Sequence, residues 1–600
     1  METPIIEKKG LRIAVEGCGH GTLHSIYASI QKTCEIQGWD GVDLLIIGGD
    51  FQAVRNAQDL NVVSMPAKYR KIGDFHEYYS GARIAPYLTI FIGGNHEASS
   101  YLWELYYGGW AAPNIYYMGA ANVMRLGPLR IAGLSGIWRG CNYTKPHYER
   151  LPYNHNDIKS IYNVRELDTR KLLQIRTQVD IAVSHDWPRG VEWKGNWREL
   201  FRKKPHFEGE AREGSLGSVA AKYVLDRLKP TYWFSAHMHI KYSATIEHED
   251  HPPGELSGLA GPLSVPSVSK LVALAAPKNE EEIDLDMDEV ETAPGPVAQA
   301  VEKNQDEISL DLEDDDIPVQ PKEGVSQAST TDTPKPHIQN GPSTPSATRV
   351  PQDLRDLLPK SFTRPPSDMV STTPKPNSLP PPANIKNKTT YFLALDKCLP
   401  NRDFLQLLDI EPLESSDFVR PLRLEYDKEW LAITRVFAKE LTLGDPDAKV
   451  PFDKGDAHYL PLIEQEKAWV EENVVKTGKM VVPEDFEVTA PPYDPMIGLK
   501  VDGQPQEYNN PQTKAFCDLL QIPNLFEASE EEVQQRIRAG PRPTSQQGRD
   551  NFRGGSSSSF GRGGRGGNRG RGRGRGGGRG NYDSSMSAWE GGRGRGRGRG

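Results

Sequence analysis

Five short apolar stretches of this 600-residue chain each end in a turn whose side chains can bind a metal ion or transfer a proton. Together the turns supply one thiol, one carboxylate, one amide and five imidazoles, from Cys18, His20, Asp50, Asn95, His96, His185, His237 and His239. Thiolate, imidazole and carboxylate groups are common protein ligands of divalent transition metals. The residue types therefore indicate metal-assisted chemistry.

The spacing within the turns favours the same interpretation. Cys18 and His20 flank a single residue, and so do His237 and His239. In an extended chain, side chains two positions apart point to the same side, which suits a shared ion. Asp50 follows a buried strand, where a carboxylate is costly unless a cation or hydrogen bonds accompany it. Any one of the histidines alone is more typical of a capped core residue, whereas the whole set favours a metal site.

The elements that position these turns are predicted from apolar runs and their periodicity. Strands are expected at 11–16, 43–47, 88–92, 131–134, 181–184 and 231–234. A helix is expected at 22–37, where apolar residues recur every three or four positions. Open α/β sheets bind ligands at the carboxyl ends of their strands. We therefore expect a layered α/β fold with one edge rich in metal ligands.

In chain order, the turns form five short motifs. They read Cys18-x-His20, Gly49-Asp50, Gly94-Asn95-His96-Glu97, His185 and Ala236-His237-Met238-His239. This order resembles the five blocks of the calcineurin-like metallophosphoesterase superfamily, which are Asp-x-His, Gly-Asp, Gly-Asn-His-Glu, His and Gly-His-x-His. Cys18 stands in place of the usual Asp, and Ala236 replaces the usual Gly. The resemblance implies an α/β fold with a β-sandwich flanked by helices.

Three longer segments accompany the unusual Cys18. They are Ser-His-Asp-Trp-Pro at 184–188, Tyr-Trp-Phe-Ser-Ala-His at 232–237 and Phe-Leu-Ala-Leu-Asp-Lys-Cys-Leu-Pro at 392–400. With them, the chain resembles the family of RNA lariat debranching enzymes over about 1–248 and 388–440, and more loosely beyond. The stretch 153–165 also resembles the lariat recognition loop of that family.

The family resemblance implies a hydrolase acting on ester bonds, which cleaves the 2′–5′ phosphodiester at the branch point of excised intron lariats and releases linear introns for turnover.

The resemblance also implies a ligand set for one divalent ion, which consists of Asp50, Asn95, His185 and His237. A neighbouring second position would use Cys18, His20, Asp50 and His239, with Asp50 bridging. The metal would make hydroxide available for attack on phosphorus. His96 lies outside both sets and is expected to stabilise the phosphoryl charge or to protonate the leaving oxygen.

Cys18 leaves the metal open. A thiolate in place of a carboxylate weakens a Mn²⁺ or Mg²⁺ site and favours Zn²⁺ or Fe²⁺. The second position is therefore expected either to be empty or to hold a softer ion. The expected cofactor is Fe²⁺, Zn²⁺ or Mn²⁺, with one or two ions per active site.

Substrate choice is expected to come from the segment 138–165, which interleaves aromatic and basic residues. Such a composition suits splayed RNA nucleotides, through stacking and phosphate contacts. The alternative is an ordinary polar surface loop. Under the family resemblance, the predicted substrate-binding residues are Tyr143, His147, Tyr148, Arg150, Tyr153, Tyr162 and Arg165.

The family resemblance and the composition together predict five regions. A metallophosphoesterase domain is expected at 1–250, a disordered insert rich in acids, Pro, Ser and Thr at 251–387, and a returning core strand at 388–400. The strand near 390–395 is expected to pair with one at 240–246. A mostly helical C-terminal domain is expected at 401–540, with helical spacing at 403–411, 426–442, 456–475, 512–521 and 528–538. A disordered Arg-Gly tail is expected at 541–600.

The formal net charge of −9 combines opposite extremes. Residues 549–600 contain 13 arginines against three acids, whereas 280–316 contain 16 acids against one lysine. An Arg-Gly tail suits RNA contact, although a solubility or protein-interaction tail is the alternative. The expected partners are branched intron RNA and, through the C-terminal domain or tail, splicing or RNA-turnover proteins; DNA is not expected.

No apolar run is long enough to span a bilayer, and the five scattered cysteines indicate a reducing compartment. We therefore expect a soluble intracellular protein without membrane contact. The presumed intron substrate places it in the nucleus, with shuttling to the cytoplasm left open.

Three other functions fit parts of the sequence. Ser/Thr protein phosphatases share Gly-Asn-His-Glu, but they follow Gly-Asp with an Asp-Arg-Gly that is lacking after Asp50. DNA nucleases of the superfamily normally keep the Asp that Cys18 replaces. The third alternative is a catalytically inactive RNA-binding scaffold, against which the intact Asn95, His96, His185 and His237 argue.

Overall fold

The apolar runs of the sequence form the strands of two β-sheets. The computed structural model describes residues 10–248, 382–413, 418 and 420–543. The strands in these residues are β1 (Leu11–Glu16), β2 (Leu44–Ile47), β3 (Thr89–Phe91), β4 (Gly109–Ala112), β5 (Ile115–Tyr117), β6 (Ala121–Leu126), β7 (Leu129–Leu134), β8 (Ile181–Ser184), β9 (Tyr232–Ser235), β10 (Tyr242–Glu247), β11 (Thr389–Ala394), β12 (Leu405–Ile410) and β13 (Leu424–Tyr426). All seven strands predicted in the first 250 residues, including the one at 240–246, are present.

The first sheet has the order β12-β1-β2-β3-β5-β4. Its β1, β2 and β3 are parallel neighbours, and they are buried almost throughout. Strands of a parallel pair are covered on both faces, which explains their near-continuous apolar sequences. Because the three strands run in one direction, their carboxyl ends lie at a single edge of the sheet.

The second sheet has the order β10-β11-β9-β8-β7-β6-β13. Here β7, β8 and β9 are parallel neighbours, so the turns after β8 and β9 also share an edge. The predicted pairing of the returning strand is confirmed, because β11 pairs antiparallel with β10 from Tyr242↔Ala394 to Glu247↔Thr389. On its other side, β11 pairs parallel with β9.

Helices flank the two sheets. Their bounds are Leu23–Gln37, Phe75–Tyr79, Ser99–Glu104, Gly140–Tyr143, His155–Ser160, Glu166–Leu173, Trp197–Lys203, His206–Glu213, Val219–Leu228, Lys428–Phe437, Asp456–Val470, Pro511–Leu520 and Glu530–Ala539. The first helix buries residues three or four positions apart, including Leu23, Ile26 and Ile30, as its spacing predicted. It ends at Gln37 and is capped by Gly38, whose φ of 68° is in the left-handed region that favours glycine.

The main buried cluster joins both sheets to the C-terminal region. It includes Ile13 and Ile90 from the first sheet, Val183 and Trp233 from the second, and Leu431 from helix Lys428–Phe437. The predicted layered α/β fold with a two-sheet core and flanking helices is confirmed. The C-terminal region therefore shares the core of the preceding residues.

The helix predicted at 403–411 is wrong. Residues Leu405–Ile410 form β12, which pairs antiparallel with β1 over six residues. The open edge of β1 offers hydrogen bonds that a helix cannot use, and such tertiary pairing overrides weak local periodicity. The other predicted C-terminal helices are present, and Asp456–Val470 continues into a π-helical turn at Glu471–Val475.

The predicted disordered segments lie mostly outside the described residues. At 382–387, however, the prediction of disorder is wrong: Asn384 bridges to Thr177, and Asn387 Nδ2 donates to the carbonyls of Lys229 and Pro230 at 3.1 and 3.0 Å. The first residues of the predicted tail, 541–543, are likewise described, and Arg542 pairs with Asp157. Single side-chain contacts of this kind leave no signal in local composition.

Within the described residues, none of the helices combines the length and apolar character needed to cross a bilayer. All five cysteines are free thiols, and only Cys141 is exposed.

Candidate metal centre

The eight residues singled out from the sequence lie in the turns after β1, β2, β3, β8 and β9. The turn after β1 contacts the turn after β2 through backbone hydrogen bonds, with Gly19 N donating to Gly49 O and His20 N to Asp50 O. The turns after β8 and β9 of the second sheet are joined by Ala236 N, which donates to His185 O. The two sheets also meet here, because His185 Nδ1, after β8, lies 2.8 Å from Gly48 O, after β2 of the first sheet. The ligand-rich edges of both sheets therefore converge on Asp50.

One group of ligand atoms comes from Cys18, His20, Asp50 and His239. One atom from each side chain lies within 4.8 Å of the corresponding atoms of the other three. The two Nε2 atoms of His20 and His239 are 3.3 Å apart, and His20 Nε2 is 3.8 Å from Asp50 Oδ2. A thiol, a carboxylate and two imidazoles at these separations suit a zinc- or iron-type site.

A second group of ligand atoms faces Oδ1, the other carboxylate oxygen of Asp50. His185 Nε2 is 3.5 Å from Asp50 Oδ1 and 3.2 Å from Asn95 Oδ1. The His185 and His237 rings lie beside each other, with centroids 5.0 Å apart. Asp50 therefore stands between the two groups, with one oxygen towards each.

The hydrogen bonding of His185 makes this second group a fit for a cation. Gly48 O can only accept, so the hydrogen of His185 lies on Nδ1 and donates to it at 2.8 Å. That leaves a lone pair on Nε2, which faces the oxygens of Asp50 and Asn95. Three electron-rich atoms at 3.2–3.5 Å repel one another unless a cation lies among them. The donor set therefore fits a bound metal ion.

His96 is held beside the two groups by separate contacts. Its backbone N–H donates to Asp50 Oδ1 at 2.8 Å, and its Nδ1 lies 2.8 Å from the carbonyl oxygen of Ser64. Its ring centroid is 6.0 Å from that of His20. Because the Ser64 carbonyl can only accept, Nδ1 carries a hydrogen, and Nε2 is the nitrogen available for proton transfer.

Glu97 joins two of the ligand-bearing turns. Its buried carboxylate accepts hydrogen bonds from the backbone of Phe51 and Gln52 at 2.8 Å and from Gly94 at 2.9 Å. Burial, followed by the charge of Asp50, raises the pKa of Glu97 to about 8. Glu97 thus fixes the turn that carries Asp50 to the turn that carries Asn95 and His96.

The turns are strained in a way that brings their side chains together. Asp50, His20, His237 and His239 all have positive φ angles, between 41° and 64°. This conformation costs non-glycine residues about 1 kcal/mol or more each, and strain of this kind clusters at functional sites. The strain is evidence that the position of these side chains matters more than local stability.

Glycines allow the close approach that the turns require. A Cβ atom at Gly94 would lie 2.2 Å from Asp50 Oδ1, and one at Gly49 would lie 2.3 Å from His185 Nδ1. The Gly-Gly pairs at 48–49 and 93–94 thus have a steric reason in the structure, because larger residues would displace Asp50 or His185.

Burial sets the protonation of the centre. Desolvation lowers the pKa of His20 to about 4 and that of His237 to about 3, so both imidazoles are neutral near pH 7 and able to bind a cation. Burial opposes ionisation of Asp50, yet His185, His96 and His20 hold its pKa below the usual range. Burial and then Asp50 raise the pKa of the Cys18 thiol well above its usual value, so metal binding there must displace a proton.

Several supporting residues were not predicted from the sequence. Gln52 Nε2 contacts His20 Nδ1 at 3.1 Å, Ser64 holds His96, and Lys397 bridges to Cys18 from the segment after β11. Glu16, at the end of β1, is buried, and neither of its carboxyl oxygens has a hydrogen-bond partner within the described part of the chain. The sequence signal for Glu16 is a charged residue at the end of a buried strand. Gln52, Ser64 and Lys397 have no such signal in the sequence.

Four of the seven predicted substrate-binding residues are buried: Tyr143, His147, Tyr153 and Arg165. His147 Nε2 contacts Asp168 Oδ2 at 2.7 Å, and Arg165 pairs with Glu149 at 2.6 Å. These contacts hold the loop 138–165 to itself and to helix Glu166–Leu173. In this conformation the four side chains are not accessible for stacking on a base.

The other three residues of that set are half-buried. Tyr148 donates to Ser160 at 3.1 Å, Arg150 pairs with Glu507, and Tyr162 lies 3.3 Å from the Ser64 hydroxyl. Contact with substrate stays a prediction for the whole set, and partial exposure supports it for these three alone.

Comparisons with known proteins agree with this geometry. The family model described as calcineurin-like phosphoesterase matches residues 11–241, and the model described as the C-terminal domain of lariat debranching enzyme matches residues 387–525. All eight residues of the centre lie in the first match, and Lys397 lies in the second.

The similar proteins include three named lariat debranching enzyme, from a yeast, a plant and an animal. The one from Schizosaccharomyces pombe is 37% identical over 85% of this chain and 96% of its own length. Those from Arabidopsis thaliana and Homo sapiens are 33% and 34% identical, over 86% and 85% of this chain and 88% and 69% of their own lengths. The similarity thus extends over most of each protein.

Proposed function

The chain belongs to the family of lariat debranching enzymes, and on that premise we propose that it hydrolyses the 2′–5′ phosphodiester bond at the branch point of lariat RNA. It is a hydrolase acting on phosphodiester bonds, and its phosphoesterase domain makes it metal-dependent. The reaction converts a branched intron into a linear RNA, which is then available for turnover.

The observation that carries this proposal is the arrangement around Asp50. One of its carboxylate oxygens lies towards His20, at 3.8 Å, and the other towards His185, at 3.5 Å. The fit of the donors supports one ion held by Asp50, Asn95, His185 and His237. It also supports a second position formed by Cys18, His20, Asp50 and His239. When bound, a divalent ion lowers the pKa of water towards neutrality and offsets charge on the phosphoryl oxygens.

His96 supplies the proton chemistry in this proposal. Its Nδ1 is committed to Ser64 O, so a protonated ring donates from Nε2. That proton either stabilises negative charge on the phosphoryl group or passes to the departing 2′ oxygen. An oxygen from water bonds to phosphorus as the bond between phosphorus and the 2′ oxygen breaks, and the phosphate stays on the 5′ side.

The metal itself is proposed from the chemistry of Cys18. A thiolate beside two imidazoles favours Zn²⁺ or Fe²⁺ over Mg²⁺, while the Asp50, Asn95 and His185 group also suits Mn²⁺. We therefore propose Fe²⁺, Zn²⁺ or Mn²⁺, with either one ion per site or two.

RNA binding outside the centre is proposed for two segments. The half-buried Tyr148, Arg150 and Tyr162 offer aromatic and cationic groups for splayed nucleotides. The arginines of residues 549–600 offer charge for phosphate contacts. Since the proposed substrate is an intron, we also propose a nuclear location, with the C-terminal region or the tail as the contact for splicing or RNA-turnover proteins.

The test is a comparison of four substrates with metal-loaded protein. Branched RNA, linear RNA of the same sequence, single-stranded DNA and a phosphopeptide are incubated separately, and the products are resolved by electrophoresis or phosphate release. We expect cleavage of branched RNA at the 2′–5′ bond alone. Phosphopeptide cleavage without debranching would indicate a protein phosphatase, and no cleavage of any substrate would indicate an RNA-binding scaffold.

A further inference from the structure

Residues 501–542, called here the C-terminal stretch, contact the recognition loop 138–165 at three separate points. At the first, the Gln504 side chain forms two hydrogen bonds with the backbone of Tyr153. Tyr153 N donates to Gln504 Oε1 at 2.7 Å, and Gln504 Nε2 donates to Tyr153 O at 2.7 Å. Both polar groups of one amide side chain thus pair with one loop residue, which fixes its orientation as well as its position.

The second point is a buried carboxylate placed between two arginines. Glu507 pairs with Arg150 of the loop, and its Oε2 also accepts from Arg536 at 2.9 Å. The Glu507 side chain is only 3% exposed. A buried carboxylate with two guanidinium partners holds both of them firmly, because loss of either partner would leave buried charge uncompensated.

The third point involves Arg542, close to the end of the described residues. Its carbonyl oxygen accepts from Asn154 Nδ2 at 2.9 Å, and its guanidinium donates to Asp157 Oδ1 at 2.7 Å. The same guanidinium lies 5.0 Å from the ring centroid of Tyr148, within cation–π range. The three points together hold residues 148–157 of the loop.

The stretch immediately before these contacts holds the segment that orients His96. Asn61 Nδ2 donates to the carbonyls of Val501 and Gly503 at 3.0 and 2.7 Å. Three residues further along, Ser64 O accepts from His96 Nδ1, and the Ser64 hydroxyl contacts Tyr162 of the loop at 3.3 Å. One C-terminal stretch therefore braces both the loop and the support of the proton-transfer residue.

We propose that Gln504, Glu507 and Arg542 are positioning residues that fix the recognition loop relative to His96 and thereby set the preference for branched RNA. This inference rests on the proposed function, because it concerns how the same centre selects its substrate. A loop held in its binding conformation avoids the ordering cost that a free loop incurs on binding. The phosphoryl chemistry itself needs none of these contacts, since all the metal ligands lie between residues 18 and 239.

The experiment compares a branched RNA with bis(p-nitrophenyl) phosphate, a small diester too short to reach the loop. The variants are Gln504→Ala and Glu507→Gln in the full-length protein. Asp518→Asn is the matched control, because it removes a charge from a carboxylate that is 66% exposed in the same C-terminal stretch. Each is loaded with the same metal, and kcat and KM are measured for both substrates.

We expect KM for branched RNA to rise about tenfold or more in Gln504→Ala and Glu507→Gln, with a smaller change in kcat. Hydrolysis of the small diester should stay within about twofold of wild type, and the control should match wild type on both substrates. Arg542→Met should behave like Gln504→Ala, while Arg542→Lys, which keeps a cation for Asp157, should recover most of the loss.

Two results would overturn the inference. In one, the variants debranch RNA as wild type does. In the other, both activities fall in parallel, which would reduce these contacts to general stabilisation of the fold. Failure of the proposed function gives a different result, in which wild-type protein hydrolyses the small diester but does not cleave branched RNA.

Discussion

The metal centre and the loop 138–165 both stand out in the sequence by their residue types, but they are built in opposite ways. In the centre, polar side chains from five turns converge around Asp50, and three of these turns hold them on backbone with positive φ angles, at His20, Asp50, His237 and His239. In the loop, aromatic and basic side chains divide between the interior and the surface: Arg165 pairs with Glu149 inside, whereas Tyr148 remains half-buried.

This difference shows which sequence signals can be interpreted directly. A ligand after a buried strand has few structural uses, so its presence is informative. An arginine or tyrosine in a loop serves equally well as an internal anchor or as an RNA contact. The two kinds of loop residue should therefore respond to substitution in different ways, while substitutions in the centre should act on the bound metal or on the reaction itself.

The largest effect is expected from Asp50→Ala. Because Asp50 contributes to both ligand groups, its loss should lower activity on branched RNA and on a small diester alike, by about a thousandfold or more. Metal bound per chain, measured by elemental analysis, should fall as well. Asp226→Ala, which removes a carboxylate that is 52% exposed, is the control and should leave both quantities unchanged. Retained activity in Asp50→Ala would show that the carboxylate shared by the two groups is not needed for metal binding or catalysis.

The next largest effect is on the stability of the fold, and it tests whether the buried residues of the loop 138–165 anchor that loop. Arg165→Met leaves Glu149 buried without its ionic partner, which should lower the free energy of unfolding by about 3–5 kcal/mol. Denaturant titration measures this change, with Arg202→Met as the control because the Arg202 side chain is 76% exposed. A change of less than about 0.5 kcal/mol in Arg165→Met would mean that the loop is not anchored as described.

The surface part of the loop should show the opposite pattern. Tyr148→Ala should weaken binding of branched RNA by about 1–3 kcal/mol, the usual range for loss of base stacking. Hydrolysis of the small diester should not change. Tyr391→Ala, at a tyrosine 51% exposed on β11, serves as the control in the same fluorescence-anisotropy titration. Equal RNA affinity in wild type and Tyr148→Ala would place recognition elsewhere.

The smallest effect is expected from Cys18→Asp, which exchanges a soft ligand for a hard one. The preference for Zn²⁺ over Mn²⁺, measured by competitive metal loading, should fall by about tenfold. Cys34→Ala, at a buried cysteine outside the centre, should keep the wild-type preference. Unchanged metal content and identity in Cys18→Asp would exclude Cys18 as a ligand.

The sequence predicted much of the centre because each strand-end motif is local. The strands before Cys18, Asp50, Asn95, His185 and His237 were recognisable from apolar runs of four to six residues, and only their convergence required the structure. What escaped prediction depends on distant partners. Leu405–Ile410 looked helical until paired with the edge of β1, and Ser64 had no signal until His96 was placed beside its carbonyl.

The inner and outer residues of the loop could not be separated for the same reason. Arg165 is buried because Glu149 and the carbonyl of Ser160 lie opposite it, and Arg150 is partly covered because Glu507 approaches from more than 350 positions away. Composition records the residue types but not the partners, which the fold alone supplies.

The most direct test of the central claim is the position of the metal. Crystals of the metal-loaded protein, measured with anomalous scattering at the absorption edge of the ion, locate it independently of any assay. We predict an ion about 2.0–2.3 Å from a carboxylate oxygen of Asp50, with His185 Nε2 among its ligands. An active, metal-loaded enzyme whose ion lies away from Asp50 would contradict the account.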